Sequence, residues 1–83
     1  MTAPEWLTKR DGTLKPGIGA GVLFVMIGGK PLYRLDVRPV SGTFSCAVVQ
    51  TVNGKQIGDG TTYPTSDAAL AGGLEQLRGK LGW

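Results

Sequence analysis

The sequence contains no histidine and one cysteine, Cys46, among its 83 residues. Without histidine, and without carboxylates paired by a recognisable pattern, it lacks the usual residues for zinc binding, general base catalysis or a nucleophilic triad. We therefore expect a protein that is not an enzyme and holds no metal ion and no cofactor. A weaker enzyme hypothesis would use Asp59, Tyr63 and Asp67, which are close in sequence, but turn and cap roles also account for them.

The single cysteine excludes a disulfide within the chain, and long hydrophobic runs are also missing. Cys46 stands on the apolar side of a predicted strand, which favours a buried, unreactive thiol over a reactive or intermolecular one. The longest apolar run, residues 22–27, is too short to span a bilayer, and residues 1–6 lack the basic and apolar regions of a signal peptide. We expect a cytoplasmic protein without a membrane partner.

The sequence has no large excess of charge of either sign. Nine basic and six acidic side chains leave a net charge of +3, which allows an anionic partner but is well below a dense nucleic-acid footprint. A chain this short forms one domain and buries only about two-thirds of its unfolded surface. Glycine and proline crowd the first part of the chain, so we predict an irregular N-terminal arm or loop over residues 1–21 and a single α+β domain over residues 22–83.

The clearest strand signal lies in residues 44–52, where apolar side chains alternate with small or β-branched ones. Asn53-Gly54 follows, and this pair favours a type I′ turn because both residues tolerate positive φ. A two-residue loop there makes Lys55 the start of a returning strand and puts Ile57 on its buried side.

The C-terminal part of the chain has the pattern of a capped helix. Thr65 or Ser66 suits the N-cap, and Asp67 would face the positive end of the helix dipole. Leucines follow at helical spacing and form one narrow stripe, at Leu70, Leu74, Leu77 and Leu81.

Glycines mark the packing and the end of this helix. Gly73 lies beside the leucine stripe, where a missing Cβ would let the helix approach a sheet closely, whereas Gly72 faces nearly the opposite way. Gly82 is typical of the left-handed residue that ends a helix, with Trp83 folding back on the last turn.

Two further strands precede the hairpin. Residues 22–27 are apolar on both faces, and Gly28-Gly29 turns this strand into a second one at residues 31–40. Together with a turn at Ser41-Gly42, this register places one set of apolar residues on the helix side: Val22, Phe24, Met26, Tyr33, Leu35, Val37, Phe44, Cys46, Val48 and Ile57. We predict an α+β fold, a four-stranded antiparallel β-meander with a C-terminal α-helix packed on one face (ββββα), preceded by the irregular arm.

The other face of this sheet would carry an apolar band, formed by Leu23, Val25 and Ile27. A solvated sheet face is normally more polar, so the band needs a cover. Three explanations stay open: the arm covers it through Trp6 and Leu7, another subunit or protein covers it, or nucleic acid does. These five residues are the candidate protein interface.

Residues 43–81, hairpin strands followed by a helix, resemble the small DNA-binding modules at the front of phage-type integrases and in plant AP2 domains. The resemblance lies in the order of elements and not in a diagnostic motif. Those modules lay the outer sheet face in the major groove, which here implies Arg34, Arg38, Thr51 and Lys55. With the basic N-terminal arm, the candidate nucleic-acid contacts are Lys9, Arg10, Lys15, Arg34, Arg38 and Lys55. The alternative is a solvated, charged strand face.

We therefore predict a small, non-catalytic binding domain. Self-association or a protein partner is the first hypothesis, because the apolar band needs a cover. A nucleic-acid-binding module that uses the outer sheet face and the basic arm is the alternative.

Overall fold

The computed structural model of this chain describes residues 3–19, 21–58 and 60–83. The elements in these residues are, in order, α1 (Glu5–Thr8), β1 (Gly12–Pro16), β2 (Val22–Ile27), β3 (Lys30–Val40), β4 (Thr43–Gln50), β5 (Thr62–Tyr63) and α2 (Ser66–Leu81). The strands form one antiparallel sheet in the order β1-β2-β3-β4-β5, with α2 packed on one face. The predicted α+β class with an antiparallel sheet and a C-terminal helix is confirmed, and the sheet has five strands where four were predicted, because residues 12–16 add β1 at one edge.

The N-terminal segment belongs to the sheet. β1 pairs with β2 along its whole length, from Gly12 opposite Ile27 to Pro16 opposite Leu23. β1 has five residues, and its two ends are a glycine and a proline. The three residues between them are too few for a period of two to be recognised in the sequence. The prediction of an irregular arm over residues 1–21 is therefore corrected, because pairing with β2 makes a strand of residues whose own pattern is uninformative.

A β-bulge decides which face of β2 is buried. The Gly28-Gly29 turn closes with both residues at positive φ and pairs Ile27 with Lys30, as the sequence predicted. The register then shifts between Val25 and Met26, so that Leu32 has no residue opposite it. A slip of one residue moves every later side chain to the other face.

The bulge reverses the predicted faces of β2. Leu23 pairs with Leu35, so Leu23, Val25 and Ile27 point to the helix side, and Val22, Phe24 and Met26 point to the other side. Thr51 holds the bulged backbone, because its N–H donates to the Leu32 carbonyl at 3.0 Å and its hydroxyl to the Pro31 carbonyl at 2.6 Å. The predicted placement of the whole β2 strand was wrong.

The β3–β4 hairpin has the predicted register. The Ser41-Gly42 turn pairs Val37 with Cys46, and the regular ladder also pairs Leu35 with Val48. Arg34, Asp36 and Arg38 consequently alternate to the face opposite the helices, as predicted.

The second hairpin differs from its prediction. Gly54 has a φ of 70°, as an Asn-Gly turn requires, but Asn53 is not among the residues with positive φ, so the turn is not type I′. The Asn53 side chain instead accepts a hydrogen bond from the Lys55 N–H at 2.9 Å. The expected returning strand is reduced to one bridge, between Val49 and Gln56, and pairing with β4 resumes only at β5.

Helix α2 begins and ends where the sequence predicts. Thr65 is the N-cap, and its hydroxyl oxygen accepts a hydrogen bond from the Ala68 N–H at 3.0 Å. Gly82 is left-handed, and the Trp83 N–H returns to the Arg78 carbonyl at 3.1 Å. In the described parts of the chain, no helix combines the length and apolar character needed to cross a membrane.

Both helices contribute to one core on the same side of the sheet. Its buried residues come from α1, three central strands and α2: Leu7, Leu23, Val25, Leu35, Cys46, Val48, Ala69, Leu74 and Leu77. The two ends of the described chain also meet, because the Trp6 and Trp83 rings lie 6.1 Å apart in a tilted arrangement. The core therefore depends on the N-terminal helix as well as on α2.

Two glycines of α2 lie against the sheet. A Cβ on Gly73 would come within 2.5 Å of the Cys46 sulfur, which confirms the predicted close approach. A Cβ on Gly72 would collide with the ring of Tyr63, so the prediction that Gly72 faces away was wrong. Both positions are closed to larger residues.

We expect Gly73→Ala to destabilise the protein and Gly79→Ala to stabilise it. Alanine gains roughly 1 kcal/mol in helix propensity at either position. At Gly73 this gain is outweighed by overpacking against Cys46, which typically costs about 1–3 kcal/mol, whereas Gly79 has open space around it. Urea unfolding measures both changes, and an equal increase in stability for the two variants would contradict the helix-to-sheet distance.

Candidate functional site

One face of the sheet carries neither of the two described helices. We call it the open face. The strand registers place these side chains on it: Thr13, Lys15, Val22, Phe24, Met26, Arg34, Asp36, Arg38, Ser45, Ala47 and Val49. Apolar and charged side chains are mixed there, so the open face is neither a second core nor a uniformly polar surface.

A single row of paired residues crosses the open face from one edge of the sheet to the other. Lys15 pairs with Phe24, Phe24 with Arg34, Arg34 with Val49, and Val49 with Gln56. We call these five residues the central row. Because neighbouring strands lie about 4.8 Å apart, the row is about 19 Å long. Phe24 lies between two cations.

Arg34 occupies the middle of the central row. It is half-buried, and its Nε atom is buried without a hydrogen-bond partner in the described part of the chain. Its side chain lines a hollow of about 630 Å³ together with Phe24, Arg38, Ser45 and Gln50. A guanidinium group binds a carboxylate or phosphate through two parallel hydrogen bonds, and both Arg34 and Arg38 line this hollow. The hollow is therefore suited to an anionic group.

The second arginine of the open face is already paired. Arg38 Nη2 donates to Asp36 Oδ2 at 3.1 Å, and the Arg38 side chain is well exposed. Lys15 and Arg34, in contrast, form no ion pair with any described residue. Charge on the open face is thus concentrated at the two cations that flank Phe24.

Three of the predicted nucleic-acid contacts lie away from this face. Lys9 pairs with Glu5 at 3.4 Å, and the Arg10 guanidinium lies 4.6 Å from the centre of the Trp83 ring. Lys55 lies in the exposed turn after β4, beside the residue that bridges to Val49. Of the six candidates, the structure brings together Lys15, Arg34 and Arg38 and leaves out Lys9, Arg10 and Lys55.

The candidate protein interface belongs to the core. Leu7 and Val25 are 0% exposed and Leu23 is buried, while Trp6 and Ile27 are partly buried and pack against the same cluster. The reason is the bulge in β3, which turns the apolar band toward the helices. The predicted position of the band on the outer face is corrected: it lies on the helix side, in one cluster with Trp6 and Leu7 of the N-terminal segment.

The thiol of Cys46 is enclosed between the sheet and α2. The residue is 3% exposed, and burial raises the pKa of its thiol from 9.0 to about 11, because desolvation disfavours the thiolate. The thiol is therefore protonated at neutral pH and a poor nucleophile. Its position supports the buried, unreactive alternative.

Two residues of the weaker enzyme hypothesis, Tyr63 and Asp67, have structural roles. The Tyr63 hydroxyl accepts a hydrogen bond from Gln76 Nε2 at 3.1 Å, and Asp67 lies in the first turn of α2. Asp59 lies outside the described residues. Within those residues, no three acidic or cysteine side chains are grouped closely enough to hold a metal ion.

Phe24 is the site residue that sequence reasoning placed in the core. Its row partners Lys15 and Arg34 were identified as basic candidates, but without the aromatic ring between them. The only local signal was that residues 22–27 are apolar on both faces, which left the orientation of the strand open. The bulge at Leu32 settles it.

The chain was compared with models of protein families, with curated proteins and with solved structures. None of the three comparisons found a match.

Proposed function

We propose that this chain is a small, non-catalytic binding domain that contacts nucleic acid through its open face. The observation that carries the proposal is the central row, in which Phe24 lies between Lys15 and Arg34. Cations attract the phosphate backbone, and an aromatic side chain supplies apolar surface for a base. The apolar band on which the protein-partner hypothesis depends is buried in the core.

Charge supports this assignment. The open face carries Lys15, Arg34 and Arg38 against one carboxylate, Asp36, within a chain of net charge +3. Lys15 and Arg34 stand two strands apart, about 10 Å, which is close to the Debye length of about 8 Å at physiological salt. Their potentials therefore overlap at Phe24 and favour an anionic polymer over a neutral one.

The proposal is tested by comparing two double variants that each remove two positive charges, one pair on the open face and one pair away from it. We expect Lys15→Gln with Arg34→Gln to weaken binding to DNA or RNA. The slope of log affinity against log salt should become shallower by about 1.4 for single strands and about 1.8 for duplex, corresponding to two lost phosphate contacts. Fluorescence anisotropy over a salt series measures the slope, and melting curves check that the variants fold.

The matched control is Lys9→Gln with Lys55→Gln. It also removes two positive charges, but from residues that lie off the open face. This variant should keep the parent's salt slope. If the parent protein binds neither DNA nor RNA at low salt, or if the control loses as much as the open-face variant, the proposal is wrong.

Self-association is a second candidate, favoured by an apolar hollow at the β1 side of the open face. Phe24, Met26, Pro16 and Pro31 line it, beside the fully exposed Ile18. A second copy of the chain could bury this surface. Sedimentation of the free parent protein over a range of concentrations distinguishes the candidates, because only this one expects a dimer without nucleic acid.

A further inference from the structure

We infer that the nucleic acid bound by the open face is single-stranded, with one base stacked on Phe24 and neighbouring phosphates on Lys15 and Arg34. This inference rests on the proposed function and names its ligand more closely. The central row carries it, because a cation, an aromatic ring and a second cation follow one another across three adjacent strands.

The position of Phe24 favours a base as its partner. The side chain is half-buried and lines all three of the described hollows on this face, so space remains beside the ring on more than one side. Gly17 lies close by: a Cβ there would meet the Val22 side chain at 2.5 Å and the Phe24 ring at 3.0 Å. In a single strand the flat faces of the bases are free to stack on such a ring.

The width of the sheet argues against a duplex. The central row is about 19 Å long, whereas the major groove of B-form DNA is about 12 Å wide and admits a helix or a two-stranded ribbon. A groove of that width spans about three strands, so it could contact no more than about three of the five residues of the row at once. A single strand crossing the face along the row meets a cation on each side of the ring instead.

Arg34 supplies the second part of the site. Its side chain lines the hollow on this face, and a planar guanidinium group can bind one phosphate through two hydrogen bonds. Val49 follows Arg34 in the row and Gln56 ends it, so one amide group that can hydrogen-bond a base edge lies at the far end of the row. The first three residues of the row, a cation, a ring and a cation, thus match a phosphate, a base and a phosphate.

The test compares four labelled probes of equal length on the full chain at one salt concentration: oligothymidylate, oligouridylate, an abasic oligonucleotide and a DNA duplex. A length of about ten nucleotides lies within the range that single-strand-binding modules cover. We expect both base-bearing single strands to bind at least about 5-fold more tightly than either the abasic strand or the duplex, because only they offer a free base.

Variants at Phe24 test whether the preference for base-bearing strands depends on its ring. Phe24→Leu should weaken binding to oligothymidylate about 5- to 150-fold, should leave binding to the abasic strand unchanged and should leave the salt slope unchanged. Phe24→Tyr keeps a ring and should bind like the parent. Met26→Leu is the matched control, since it alters a neighbouring apolar residue of the same strand and face.

The outcomes separate this inference from the proposed function. Equal affinity of the parent protein for all four probes overturns the inference and leaves the proposed function standing. Binding to the duplex but not to single strands does the same. Failure to bind any probe at low salt overturns both. The comparison of probes uses the parent protein only. It therefore decides the inference even if a Phe24 variant fails to fold.

Discussion

Val25→Lys is expected to abolish the cooperative unfolding transition, leaving a chain that is unfolded at room temperature. Val25 is 0% exposed and lies in the core cluster. A charged group buried there without a partner costs several kcal/mol, which is comparable to the total stability of about 4–12 kcal/mol expected for a domain of this size. Circular dichroism during thermal unfolding measures the effect.

The control for this prediction is Phe24→Lys, one residue earlier in the same strand. Its side chain lies on the open face, so the introduced ammonium group reaches water, and we expect a cooperative melt close to that of the parent. If β2 had the orientation that the sequence pattern favours, the two results would be exchanged. A folded Val25→Lys with an unfolded Phe24→Lys would therefore show that the bulge at Leu32 is misplaced.

Removal of residues 1–16 is expected to unfold the rest of the chain. The deletion takes away β1, which pairs along all of β2, and α1, whose Leu7 is 0% exposed. A buried leucine cut to alanine alone typically costs about 2–5 kcal/mol, so Leu7→Ala should already lower the urea midpoint substantially. Proton NMR dispersion and urea unfolding measure the two effects.

This deletion also tests where the folded domain begins. If residues 17–83 melt cooperatively near the parent's midpoint, the N-terminal segment is an accessory arm, as the sequence suggested. We expect the opposite, because β2 would lose its outer neighbour and the core would lose Leu7. The contact between Trp6 and Trp83 gives a second readout, since Leu7→Ala should loosen α1 and shift tryptophan fluorescence.

The candidate site could be predicted only in part. Arg34 and Arg38 were assigned to the outer face from the alternation of β3, and the ladder with β4 keeps them there. Lys15 was assigned to a basic arm, and its place beside Phe24 follows only from the pairing of β1 with β2. The central row as a whole could not be predicted, because it depends on four pairings, of which only that of Arg34 with Val49 follows from the predicted register.

Local interactions explain what the sequence determined by itself. The N-cap at Thr65, the left-handed Gly82, and the turns at Gly28-Gly29 and Ser41-Gly42 were all identified from short stretches. Caps and tight turns depend on a few neighbouring residues and on the φ angles those residues tolerate, so a linear pattern contains the necessary information. The fold class follows from these elements and the alternation of the strands.

Tertiary structure decided which face of β2 is buried and whether the N-terminal residues form a strand. Residues 22–27 are apolar on both sides, so one bulged residue, Leu32, was enough to exchange their faces. β1 has too few residues for a pattern of its own and exists because β2 offers it a backbone edge. In both cases the free energy comes from contacts between segments distant in sequence, among them the burial of Val25 and Leu7 in the core.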